Sequence, residues 1–305
     1  MRGATLTDAS ALAEAAPAGR SLWGDARRRF LRNRAAVAGL VVLILIAAFA
    51  AIGPFVAPWS YEEIDWSVLG NVAEAGRPSL ETGHWFGTDP LGRDLFARTA
   101  QGTQVSLMVG IVGALIAVVV GTLYGAVAGY FGGRVDGAMM RFVDVAMSIP
   151  YMFVLILLLV VFGRSILMLF IGIGLISWLD MARIARGQTL ALKGREFVEA
   201  AVATGVHPFR VITRHVVPNL LGVVIVYATL LIPSMIIYES FISFLGLGVQ
   251  EPSTSLGALI NGGASNLRNG TPWMLAVPLL FFVTLLFALF FVGDGLRDAL
   301  DPKDR

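Results

Sequence analysis

Six mainly apolar runs, with charges only near the ends of two, divide the chain, near 35–57, 106–130, 143–163, 165–182, 217–238 and 273–293. An α-helix of roughly 20 apolar residues spans the hydrocarbon core of a bilayer, so the pattern predicts an all-α polytopic membrane protein with six transmembrane helices. The fourth run is the shortest, pinched between Arg164 and Asp180. In the second, Gly113, Ala117, Gly121, Gly125 and Gly129 recur every four residues, a small-residue stripe down one helix face. Helices in lipid associate through close backbone approach, which such stripes permit. This helix is therefore predicted to be central, with its packing partner in this subunit or another left open.

The polar stretches between the runs set the remaining boundaries. Residues 1–20 are small and polar without periodicity and are predicted to form a disordered tail. Over 21–34, Leu22, Trp23, Ala26, Phe30 and Leu31 share one helix side, and Arg27, Arg28 and Arg32 lie largely on the other. That is an amphipathic helix on the cytoplasmic membrane surface, leading into the first span at 35–57. Segment 58–104 is predicted to be external. It contains His84-Trp-Phe-Gly-Thr-Asp-Pro-Leu-Gly-Arg-Asp94, where Thr88 or Asp89 is expected to cap a helix with Pro90 in its first turn. Thr88, Asp89, Arg93 and Asp94 are the candidates for an external docking or gating element. A five-helix core follows at 105–296, interrupted by a charged loop at 183–216. The glycines and prolines of 239–272 suggest irregular or re-entrant backbone, and 297–305 form a charged tail.

The loop carries the most informative local pattern. Phe197, Val198, Ala201 and Val202 form a narrow apolar stripe at helical spacing, with Arg195, Glu196 and Glu199 elsewhere on the surface. Gly205 falls just past the last periodic residue, where a helix end often needs a left-handed residue. Pro208 can open a second short helix with Phe209, Ile212 and Val216 on one face. A short, half-apolar helix displayed on a charged loop suits the groove of a partner protein.

Charge placement orients the chain. The composition is 56% hydrophobic and 14% charged, against roughly a quarter charged in soluble domains. With the N-terminus inside, 18 of the 23 basic residues fall on cytoplasmic segments and 5 (Arg77, Arg93, Arg98, Arg164, Arg268) outside. The positive-inside rule then places both termini and the 183–216 loop in the cytoplasm. There is no cysteine, and the three histidines are too scattered in sequence to suggest a metal site, so neither catalytic residues nor a metal are expected. Nothing points to nucleic acid. Asp144, Asp180 and Glu239 fall near predicted span ends, within reach of water, Arg141 or Arg183, which argues against a proton relay of mid-span carboxylates.

Several motifs carry a resemblance. Glu199-Ala200-Ala201, Gly205 and Pro218 resemble the coupling loop of permease subunits of ATP-driven bacterial importers, with His215-Val-Val-Pro218 a loose match to its usual end. Phe86-Gly-Thr-Asp89 with Gly92-Arg-Asp94, Glu239-Ser-Phe-Ile-Ser-Phe-Leu-Gly-Leu-Gly248 and Gly293-Asp-Gly-Leu-Arg-Asp-Ala-Leu-Asp-Pro302 resemble the C-type permeases of the peptide and nickel branch. The basic helix near Arg20 to Phe30 and the stretch Trp178 to Gln188 are closer to the oligopeptide than to the dipeptide members. About residues 20–305 are covered.

The resemblance implies a type I ABC importer permease fold in the bacterial inner membrane, working by alternating access. It implies a homologous B-type permease as partner, two cytoplasmic ATPase subunits that bind ATP and Mg2+, and an external peptide-binding protein that delivers the peptide. It makes Phe197, Glu199, Ala200, Ala201, Val202, Gly205 and Pro218 the ATPase-coupling residues. The chain has no phosphate-cradling Gly-x-x-x-x-Gly-Lys-Ser/Thr loop, so it is not expected to bind ATP or to be an enzyme. The alternatives are the same machine with dipeptide, glutathione or nickel cargo, or a secondary transporter. A membrane enzyme lacks the motifs it would need.

Overall fold

The computed structural model describes residues 22–300, so the tail expected at 1–20 and residues 301–305 lie outside the described residues. Those described form α1 (Leu22–Arg32), α2 (Arg34–Val56), α3 (Leu95–Phe131), α4 (Gly133–Ser148), α5 (Tyr151–Phe162), α6 (Ile166–Lys193), α7 (Glu196–Ala203), α8 (Pro208–Phe244), α9 (Leu256–Asn266) and α10 (Trp273–Leu300). Helices α2, α3, α6, α8 and α10 are each long and apolar enough to cross a bilayer, and α4 with α5 makes a sixth crossing bent by 76°.

The boundaries differ from the hydropathy runs for identifiable reasons. The second span begins at Leu95 rather than 106, because Asp94 caps it, accepting from the Ala97 N–H at 2.8 Å. The last ten residues of the segment expected to be external, 95–104, are thus helical and continuous with the span. The single helix expected at 143–163 is broken: Ile149 and Pro150 are extended, since proline lacks the N–H and disfavours helix at the residue before it. The run at 165–182 continues as helix to Lys193, and the last span continues to Leu300. Charges ended those runs without ending the backbone hydrogen bonding. The 183–216 loop is thus mostly helical, and the second short helix expected at Pro208 is the start of α8, joined to it through a π-helical turn at Ile212–Val216. Of the irregular backbone expected over 239–272, turns and bends occupy 245–255, while α8 runs to Phe244 and α9 packs on its neighbours, with Gly257 against the Ser240 backbone and Gly263 against that of Met274.

Helix α3 lies at the centre. Half of its most apolar stretch is buried, against 22% for α2, which turns Ile44 and Leu45 outward. The small-residue stripe of α3 packs on α6 of the same chain. A Cβ added to Gly113 would lie 3.0 Å from Ile173 Cγ2, one on Gly121 2.5 Å from the Trp178 carbonyl and 2.6 Å from Met181 Cβ, and one on Gly129 2.8 Å from Thr189 Cβ. At Gly125 it would meet the backbone of Ala182 and Arg186 as well as Ala185, and Ala117 is fully buried. Ile173, Met181, Ala185 and Thr189 each stand sixty residues beyond the glycine they touch. That constant offset means α3 and α6 run parallel in one register.

Candidate functional site

Helix α7 projects from the end of the bundle at which α3, α6 and α8 converge. It ends in a Schellman motif: Gly205 takes φ +77°, its N–H donates to Val202 O at 3.0 Å, and the Val206 N–H donates to Ala201 O at 3.1 Å. The expected stripe divides in two. Val198 and Ala201 are buried against Val211, Ile212 and Met181, which fixes α7 to the three long helices. Phe197 (41% exposed) and Val202 (51%) face outward with Glu199 and Ala200, and Phe209 (65%) from the first turn of α8 is also exposed at this end. Gly205 and Pro218 are exposed as well. Beside α7 runs a groove of about 730 Å³, lined by Tyr130, Phe131, Leu190, Lys193, Glu199 and Val202 among others. Lys193 Nζ stands 5.9 Å from the Tyr130 ring centroid. The parts of this surface on α3 and α6 were not legible in the sequence, because they come from helices distant in the chain.

Thr88, Asp89, Arg93 and Asp94 are all buried, in an elbow that leads into α3. Neither Thr88 nor Asp89 caps a helix, and Pro90 lies in a turn: the cap is Asp94, and Asp89 instead accepts from the Leu91 and Arg93 N–H groups. Arg93 donates to Asp89 at 2.7 Å and grips both oxygens of Glu251, while Arg98 donates to Glu251 at 3.2 Å. Partial burial raises the Glu251 carboxyl, but the hydrogen bonds and charges of the two arginines outweigh it and hold it below the usual carboxylate range. On the other side His84 bridges Asp94 at 2.9 Å and Asp65 at 3.3 Å. Burial pushes Asp94 up despite the N–H groups and imidazole that it accepts from. These contacts clamp the elbow to the α8–α9 connection. The four residues expected to dock or gate therefore lie inside a structural staple and offer little surface of their own.

The carboxylates expected at span ends behave differently from one another. Asp144 does pair with Arg183, at 2.6 Å. Glu239 lies within α8, fully buried, and accepts from Ser106 at 2.9 Å, Ser243 at 2.7 Å and Ser240 at 3.2 Å. Ser106 in turn meets the Leu256 N–H at 3.4 Å, so one carboxylate joins α3, α8 and α9. Asp180 stands mid-way along α6, fourteen residues from its start.

Six crossings, a short helix protruding from one end and a capped elbow at the other define a transport subunit of the type I ABC importer permease class. The chain belongs to the binding-protein-dependent transport system inner membrane component family, whose model matches residues 121–305. Within it, residues 21–72 match the N-terminal transmembrane domain of oligopeptide transport permease C. The chain is 56% identical over 287 residues to the oligopeptide transport system permease protein OppC of Escherichia coli (strain K12), covering 94% of this chain and 93% of that protein. It is 43% identical over 281 residues to the dipeptide transport system permease protein DppC of Bacillus subtilis (strain 168), covering 92% and 86%. A chain of the MetNI methionine ABC transporter, in an inward-facing conformation, superposes with a TM-score of 0.53 at 18% identity over 66% of this chain and 94% of that one, a likeness of fold.

Proposed function

We propose that this subunit forms half of the translocation path of an ATP-driven oligopeptide importer. It pairs with a homologous permease, couples to two cytoplasmic ATPases through α7, and receives peptide from an external binding protein. Supporting this is the exposed face of α7, where Phe197, Glu199 and Val202 stand free of the subunit's own core while Val198 and Ala201 bind the same helix to α3, α6 and α8. A push on that face reaches three spanning helices at once, as a rigid-body switch requires. The near-full-length likeness to an oligopeptide permease favours that cargo, although a dipeptide permease shares the scaffold.

The test is reconstitution of the subunit with its native partners in liposomes. Uptake of tri-alanine should require ATP and the binding protein and ignore a proton gradient. Uptake driven by the gradient without ATP would leave a secondary transporter in its place.

Orientation follows from the same reading and is separately measurable. The chain has no cysteine, so single replacements label without background. Glu81→Cys, exposed on the connection before α3, should react with an impermeant thiol reagent in intact spheroplasts. Thr204→Cys, exposed beside α7, should react only after the inner face is opened. The reverse pattern would put α7 out of reach of any cytoplasmic ATPase.

A further inference from the structure

A cavity of about 270 Å³ opens between α5, α6 and α8, where the broken span bends. Tyr151 from α5, Ser177 and Asp180 from α6, and Ser234 and Tyr238 from α8 bring their polar groups to its wall. The Tyr151 hydroxyl and the Asp180 carboxylate stand out among these groups. The Tyr151 hydroxyl is buried without a hydrogen bond, while its neighbour Ser177 donates to the Ile173 carbonyl. Asp180 is exposed, and among the described residues no cation or donor pairs with it.

At the end of the apolar run of α6, a carboxylate facing acyl chains is expensive, so Asp180 belongs to water-filled space or to a positive group. Among the described residues no cluster of three metal-type ligands exists, which makes a metal cation a poor fit. The rings of Tyr151 and Tyr238 lie 4.6 Å apart in the same wall, and aromatic faces attract ammonium groups. A carboxylate beside aromatic rings and an unpaired tyrosine hydroxyl has the chemistry of an ammonium site. Resting on the peptide reading above, we propose that this cavity is a transient site for the α-ammonium group of a transported peptide, with Asp180 as its counter-charge. Every linear peptide with a free amino terminus carries that group whatever its side chains. The site therefore engages peptides of many sequences, and discriminates against blocked ones.

The test uses the complete importer carrying Ser234→Cys, whose thiol would line the cavity, and follows its reaction with a small thiol reagent. Tri-alanine should slow the reaction about threefold once it reaches about twice its Kd. N-acetyl-tri-alanine should not. Adding Asp180→Asn should abolish the protection and Asp180→Glu should keep it. Equal protection by both peptides, or protection that survives Asp180→Asn, overturns the assignment. So does a position 234 that never reacts, since the cavity would then be closed to solvent. Loss of the complex itself in Asp180→Asn also overturns it, by placing that carboxylate in a subunit interface. Normal tri-alanine uptake without protection sinks this site alone, whereas neither uptake nor protection sinks the cargo reading with it.

Discussion

Gly125→Leu is expected to leave almost no assembled subunit in the membrane. The added side chain would point at the Ala182 carbonyl and the Arg186 amide, which are helix backbone and cannot rotate away. Overpacking costs about 1–3 kcal/mol where side chains can yield, and here the whole of α6 must move instead. At about 3 kcal/mol, roughly a hundredfold shift in the folding equilibrium, the subunit should be degraded or fail to join its complex. Contacts between helices in lipid rest on such close packing, so no hydrophobic gain offsets the loss. Gly137→Ala makes the control, because nothing lies within 4 Å of that position. Quantitative recovery of tagged subunit from solubilised membranes decides the matter. Wild-type recovery of Gly125→Leu would mean the α3–α6 seam is loose.

Phe197→Asp should insert and assemble normally yet lose ATP-driven uptake by tenfold or more (at least about 1.4 kcal/mol). Its ring is outside the subunit's core, so the fold has little to lose. If that face docks in an apolar groove, an unpaired carboxylate there is costly to bury, by several kcal/mol when no partner is found. Ala201→Asp gives a different result. Ala201 is buried with Val198, Val211 and Ile212, so its charge strikes the subunit itself and lowers the amount recovered. Measuring recovery, ATPase retention and uptake on the same preparations separates the two. Normal uptake by Phe197→Asp would remove α7 from the coupling path.

The contrast between these two positions shows how far the sequence could be read. The stripe of Phe197, Val198, Ala201 and Val202, and the glycine that stops it, were legible because helical spacing and a left-handed cap are local properties. Which half of the stripe faced inward was not, since it depends on Val211 and Ile212 folding back from α8. Hydropathy found the long helices but not where they end. Arg98, Gln101 and Gln104 hid the first turns of α3, and Arg183 and Arg186 hid the last turns of α6, although each lies in unbroken helix. Glu239 was the largest miss. Ser240 and Ser243 of the same helix supply two of its hydroxyls, but the third, from Ser106, is 133 residues away, and no local signal announces it. The break at Pro150 had a signal in the proline itself, outweighed by the apolar run around it.

The sixty-residue offset between the stripe of α3 and its partners on α6 has a consequence for how the protein is made. At about 5–20 residues per second, translation delivers α6 roughly 3–12 s after α3 has entered the bilayer. For that interval the glycine face is an open furrow, and lipid tails or a neighbouring helix can occupy it. The broken span is inserted meanwhile, before the furrow has its permanent occupant. A nascent chain cut short before Ile173 would keep the furrow open indefinitely, and a membrane protease would meet it as an unpaired helix.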